Sequence, residues 1–121
     1  MDSIEYISDD SLLRILFNVD HDCVTLKFLG KCALFKPGVF LDPIFTDAYI
    51  ANKQKILIDV SELEFMNSAT MVPIMRLIEK VLLISMEMEI KYDDNIRWQN
   101  LTFPAFNIFA KRGGQFTLTC V

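Results

Sequence analysis

Residues 55–60 (Lys55-Ile56-Leu57-Ile58-Asp59-Val60) constrain the fold of this chain more than any other stretch. Three β-branched residues and a leucine in a run of six predict a strand buried on both faces inside a sheet. A connection over 61–69 follows, with apolar Leu63 and Phe65, and ends in the cluster Asn67-Ser68-Ala69-Thr70. Beyond it Met71, Ile74, Met75, Ile78 and Leu82 form one helical stripe, opposed by Arg76, Glu79 and Lys80. Pro73 limits where that helix begins. With Thr70 as N-cap, Pro73 takes the third helical position, whose N–H has no partner anyway. Thr70 is therefore the expected cap, with Ser68 exposed just before it. Small hydroxyls then sit beside free N–H groups at a helix N-terminus, a setting that receives an added phosphate well.

The rest of the chain supplies the partners of that strand. Residues 11–17 read as a strand, 18–22 as a turn, and 23–29 as the second arm of a hairpin ended by Gly30. Lys36-Pro37-Gly38 reads as a turn before a helix over about 39–52. Pro43 moves the expected start to Leu41 or Asp42, with Asp42 as cap. Residues 87–92 form another strand, stopped by Asp93-Asp94-Asn95, and 96–101 a short helical piece. Phe103, Phe106, Ile108 and Phe109 suggest a last helix capped by Thr102, ended by Gly113-Gly114 and followed by a strand over 116–120. The order β-β-α-β-α-β-α-β points to an α/β fold, a mixed sheet packed against three to four helices. Residues 1–121 are read as a single domain.

Composition narrows the function. Apolar residues make up 52%, with ten Phe and six Met, which predicts a large core or an apolar surface patch that meets a partner or a second copy. A formal charge of −4, with Lys111-Arg112 as the one basic pair, excludes a nucleic-acid binder. The acidic start Met1-Asp2-Ser3-Ile4-Glu5 is no secretory leader, and no apolar run is long enough to span a membrane. Cys23, Cys32 and Cys120, odd in number and without CxxC spacing, fit reduced thiols in the cytoplasm.

Catalysis has little to stand on. The single histidine, His21, lies in an Asp20-His21-Asp22-Cys23 turn whose adjacent side chains do not point at one metal. Nucleophilic triads and phosphate-binding glycine loops are absent, and Asp59, Glu62 and Glu64 read as solvated rim residues. No enzyme activity, metal or cofactor is expected. The Phe-rich C-terminal half reads as core, with a small-ligand pocket as the alternative. Asn67, Ser68 and Thr70 are equally at home as plain helix caps.

Residues 10–120 resemble a STAS domain, the module of bacterial anti-sigma-factor antagonists and of sulfate-transporter tails, with the specific likeness over 55–80. The family pattern is a hydrophobic strand ending in Asp, a short apolar turn, then Asp-Ser-Ser/Thr-Gly opening a helix. Residues 56–60, then Leu63, Phe65 and Met66, then Asn67-Ser68-Ala69-Thr70 match these parts in turn. Asn67 replaces the motif Asp, Ala69 the second hydroxyl and Thr70 the Gly. A related group of STAS-like phosphoproteins carries an Asn-Thr-Ser-Ser motif at this point. The resemblance implies a phosphorylation-gated protein–protein switch in bacterial signalling, with Ser68 as acceptor and Thr70 as the alternative. It implies a serine kinase that is also an anti-sigma factor, together with a phosphatase, as partners. The expected partner surface is Asn67, Ser68, Ala69 and Thr70 with Met66, Met71 and Val72. A non-phosphorylated interaction or scaffold module of the same fold is the rival, and a homodimer is a further expectation.

Overall fold

The computed structural model describes residues 2–110 and 115–121. The helix stop expected at Gly113-Gly114 and the basic pair Lys111-Arg112 lie outside the described residues. One mixed sheet contains β1 (Asp2–Ile7), β2 (Leu13–Val19), β3 (Cys23–Cys32), β4 (Lys55–Asp59), β5 (Leu63–Met66), β6 (Glu87–Tyr92) and β7 (Phe116–Cys120). Its order is β1-β2-β3-β4-β6-β7, with β5 beside the far half of β3. The β1–β2 and β2–β3 pairs are antiparallel and the others parallel.

Two of these strands were not expected. β1 occupies the acidic N-terminal segment, and β2 begins two residues later than the periodicity suggested. β5 lies inside the 61–69 connection. After Asp59 the chain turns, with Asp59 accepting bonds from the Ser61 amide (3.0 Å) and hydroxyl (2.6 Å), and then resumes pairing with β3. Gly30 does not end β3. Its φ of +88° and a register shift between Gly30 and Lys31 bend the strand instead. A Cβ there would stand 2.0 Å from the Leu12 carbonyl oxygen, so the close backbone approach needs glycine.

The register aligns one row across the sheet: Phe17, Leu26, Ile58, Ile90 and Leu118. Alternate residues on that face, including Ile15, Phe28 and Ile56, are fully buried. β4 is therefore closed on one face alone. Its other face carries Lys55, Leu57 and Asp59, all half-buried, which corrects the expectation of burial on both sides. Leu57 broke the alternation and made a one-sided strand look two-sided. Lys55 on that open face pairs with Glu89 of the neighbouring strand.

The buried face is covered by α1 (Pro37–Ile50), α2 (Met71–Leu82) and a C-terminal helical run. α1 opens at Pro37, earlier than expected, because proline at the first helical position has no amide to lose. Asp42 is thus not its cap but lies in the second turn and pairs with Arg76 of α2 at 3.0 Å. Pro43 is inside the helix. On α2 the buried residues are Pro73, Ile74, Leu77, Ile78 and Val81, while Met71, Met75 and Leu82 flank them half-exposed.

The expected last helix is broken into α3 (Arg97–Thr102), a 3-10 turn (Phe103–Phe106) and α4 (Asn107–Ala110). Thr102 makes no side-chain cap, and Ile108 is exposed. Phe103 stacks on Phe106 and Phe106 on Phe109, and Phe109 meets Phe116 edge-on, with ring centroids 6.0, 6.5 and 6.2 Å apart. All four rings are buried in the core.

Candidate functional site

All the expected site residues lie at the carboxyl ends of the parallel strands, where β5 delivers the chain into α2. Asn67 organises the place. Its amide N–H donates to the Cys32 carbonyl (2.9 Å), and its Nδ2 donates to the Leu34 carbonyl (2.9 Å). Its Oδ1 accepts from both the Thr70 amide (3.2 Å) and the Thr70 hydroxyl (2.7 Å). Asn67, rather than Thr70, is the residue that caps this helix start, through a 3-10 turn over Ser68–Thr70.

Thr70 is fully buried. Its hydroxyl proton goes to Asn67, so the Cys32 thiol 3.1 Å away donates to the Thr70 oxygen. Burial pushes the Cys32 thiol up, against the opposing pull of the Thr70 contact, which keeps it protonated as that donor requires. A kinase has no access to a hydroxyl held this way. The alternative acceptor is thereby corrected to a structural role. Met66, expected on the partner surface, is likewise 8% exposed and belongs to the core.

Ser68 is different. It is exposed, as is Ala69, and its hydroxyl has no hydrogen-bond partner among the described residues. Neither the 3-10 turn nor α2 carries an acidic residue in its first turn, where a carboxylate would oppose an added anion most directly. Val72 is 45% exposed and Met71 half-buried, so an apolar flank lies within one turn of Ser68.

The Leu34 carbonyl bound by Asn67 connects this place to a second one. Leu34 lines a groove of about 520 Å³ between the Ser8-Asp9 turn and the start of α1. Phe35 on its rim is 88% exposed and Val39 is 75% exposed. Sequence reasoning missed both, because Phe35 stands outside any helical stripe and Val39 reads as one more apolar residue of α1. The apolar surface patch expected from composition is found at this end of the sheet.

Gln99 is a further residue that periodicity did not single out. It is fully buried, and its Nε2 donates to the carbonyls of Val60 (2.7 Å) and Leu63 (3.0 Å) while its Oε1 accepts from the Asp93 amide (2.8 Å). It ties the turn between β4 and β5 to the C-terminal helical run, and so holds the arm that carries Asn67. The acidic residues near this turn are occupied: Asp59 caps it and Glu62 pairs with Lys27. Among the described residues no three His, Cys, Asp or Glu side chains converge to hold a metal, and no helix is long and apolar enough to cross a membrane.

No family model matches the sequence, and no curated protein matches it. Among solved structures, the chain is similar to the crystal structure of an anti-sigma factor antagonist from Mycobacterium paratuberculosis. The match has a TM-score of 0.70 at 13% identity, over 96% of this chain and 92% of that one. At that identity the likeness speaks for architecture: this chain has the fold of an anti-sigma factor antagonist, the STAS fold.

Proposed function

We propose that the chain is a phosphorylation-gated protein-interaction module of the anti-sigma-factor-antagonist kind, with Ser68 as the acceptor. One observation carries this reading. Asn67 caps the helix start by bonding the Thr70 amide and hydroxyl, which leaves the Ser68 hydroxyl exposed and unengaged beside an apolar flank. A serine kept only as a cap would be bonded to the helix start, and this one is not. Phosphorylation would put nearly two negative charges next to Met71 and Val72, and an apolar partner surface docking there would have to desolvate them. The partners in this reading are a regulatory serine kinase that doubles as an anti-sigma factor, and a phosphatase that restores binding. The setting is the bacterial cytoplasm, and the chain itself performs no catalysis.

The test compares wild type with Ser68→Ala and Ser68→Asp in partner capture and in thermal melts. Ser68→Ala should bind as well as the unmodified chain. Ser68→Asp should bind about a hundredfold more weakly, the cost of burying an unpaired carboxylate. Neither should lower stability by more than a few tenths of a kcal/mol, since no folded-state bond is lost and an anion suits this helix end. Equal binding by all three forms would remove Ser68 from the mechanism and leave a plain interaction module.

A further inference from the structure

The groove beside Leu34 has a firm floor and an uncovered rim. Leu34 and Phe40, half-buried and packed on the core, form the floor. Phe35 and Val39 stand on its α1 side, 88% and 75% exposed. A small molecule lying on the floor would leave these two side chains in water. A protein surface laid over the groove would cover them.

The charges on the rim have an order. Asp9 lines the hairpin side and Lys36 the α1 side, and both are exposed. Neither side chain has an ion pair or a hydrogen bond among the described residues. Their charged neighbours in the chain are engaged: Asp10 accepts from the Ser8 hydroxyl and the Leu12 amide, and Asp42 pairs with Arg76. The groove thus sets an apolar floor between one free anion and one free cation. The guest it fits carries a cation towards Asp9, an anion towards Lys36 and an apolar side chain between them.

The groove also continues the Ser68 surface. Asn67, next to Ser68, bonds the Leu34 carbonyl, and α1 packs against the 3-10 turn that carries Ser68. We infer that the groove is a second anchor for the protein partner that meets Ser68, filled by an apolar segment of the partner with that charge order. The inference rests on the reading of Ser68 for which partner binds, and on the groove alone for the chemistry of the segment. In this arrangement the groove supplies affinity that does not depend on the state of Ser68, and Ser68 supplies the switch.

The test pans a random-peptide phage library on the whole chain, with the Phe35→Ser chain as counter-selection, and measures enriched peptides by fluorescence anisotropy. Enriched peptides should carry an aromatic or branched apolar residue with a basic residue on one side and an acidic one on the other. Val39→Ser should weaken them about thirtyfold, the loss of a covered apolar anchor. Both apolar positions are exposed, so thermal melts of these variants should match wild type. Panning on Asp9→Lys should enrich peptides acidic on both sides of the apolar residue, and panning on Lys36→Glu peptides basic on both sides. No enrichment over the Phe35→Ser chain would overturn the inference, as would peptide charges that do not follow Asp9 and Lys36. Wild-type dimers in sedimentation velocity that Phe35→Ser abolishes would assign the groove to a second copy and overturn it equally. These peptides occupy the groove alone, so Ser68→Asp should leave their affinity unchanged. Failure of the phosphorylation reading shows instead as equal partner capture by the three Ser68 forms, so the two failures are told apart.

Discussion

The two long helices begin side by side at the same end of the sheet, and they begin in opposite ways. α2 starts from Asn67, whose side chain makes three hydrogen bonds that reach the Leu34 loop and the buried Thr70. α1 starts after Lys36, which makes no side-chain cap, and relies on Pro37 to set the first turn. Around the first start the small Ser68 and Ala69 are exposed, with Val72 45% exposed in the following turn. Around the second the exposed groups are large and apolar, Phe35 and Val39. A helix start locked by its own polar network can present a single hydroxyl at a constant position. One left uncapped among exposed hydrophobic side chains offers contact area instead. The two starts are joined through one hydrogen bond, from Asn67 Nδ2 to the Leu34 carbonyl.

Breaking the locked start should have the largest effect. Asn67→Leu leaves the Leu34 carbonyl, the Thr70 amide and the Thr70 hydroxyl without their partner, at roughly 2–4 kcal/mol of stability. Asn67→Asp keeps the acceptor for Thr70 but loses the donor to Leu34, and should cost about half as much. Chemical denaturation of both variants checks the order. If Asn67→Asp is the more damaging, repulsion between the new carboxylate and the Leu34 carbonyl outweighs the cap that aspartate keeps.

Repairing the unlocked start is the reverse experiment and a smaller one. Lys36→Asp offers α1 the side-chain acceptor and the favourable charge it lacks, so stability should rise by up to about 1 kcal/mol. A fall in melting temperature instead would mean that Lys36 serves a contact of its own, on the rim of the Phe35 groove.

The smallest effect separates both helix starts from the open face of the sheet, where charge rather than neutral hydrogen bonding holds a rung together. Burial alone would raise the Glu89 carboxyl, but the Lys55 ammonium and the Thr119 hydroxyl together hold it below the ordinary 4.5. A lowered carboxyl value stabilises the fold fully above pH 4.5, and the contribution disappears as pH falls through the lower folded value. Glu89→Gln should therefore cost less than about 1 kcal/mol near neutral pH, and wild type and variant should converge in acid. The uncharged Asn67 start should show no such convergence when Asn67→Leu is followed over the same pH range.

How far the sequence could be read follows the same division between local and distant causes. β3, β6, β7 and α2 were legible because their apolar residues repeat at the period of the element that holds them. β5 was not, since four residues with buried ends and an exposed middle carry no period. The exposed Ser68 was legible from Pro73, which constrains the helix start whatever packs around it. The cap was not legible in the same way: proline spacing favours Thr70, and the structure uses Asn67. That choice depends on where Leu34 and Cys32 lie, and both are more than thirty positions away in the chain. Gln99 was invisible for the same reason: its worth consists of carbonyls on Val60 and Leu63 that only folding brings to it.

By itself the sequence determined the mixed α/β architecture, the strand that ends before the site, and a small polar cluster at the opening of an amphipathic helix. Those features are set by periodicity and by proline, which act within a few residues. Tertiary structure decided which of the polar side chains are spent on the fold and which is left over. It buried Thr70 against Cys32, turned Asn67 towards the Leu34 loop, and left Ser68 facing out. The reason is that a buried polar group must find a partner, and the partners available to it are fixed by how the strands align, which no local stretch of sequence records.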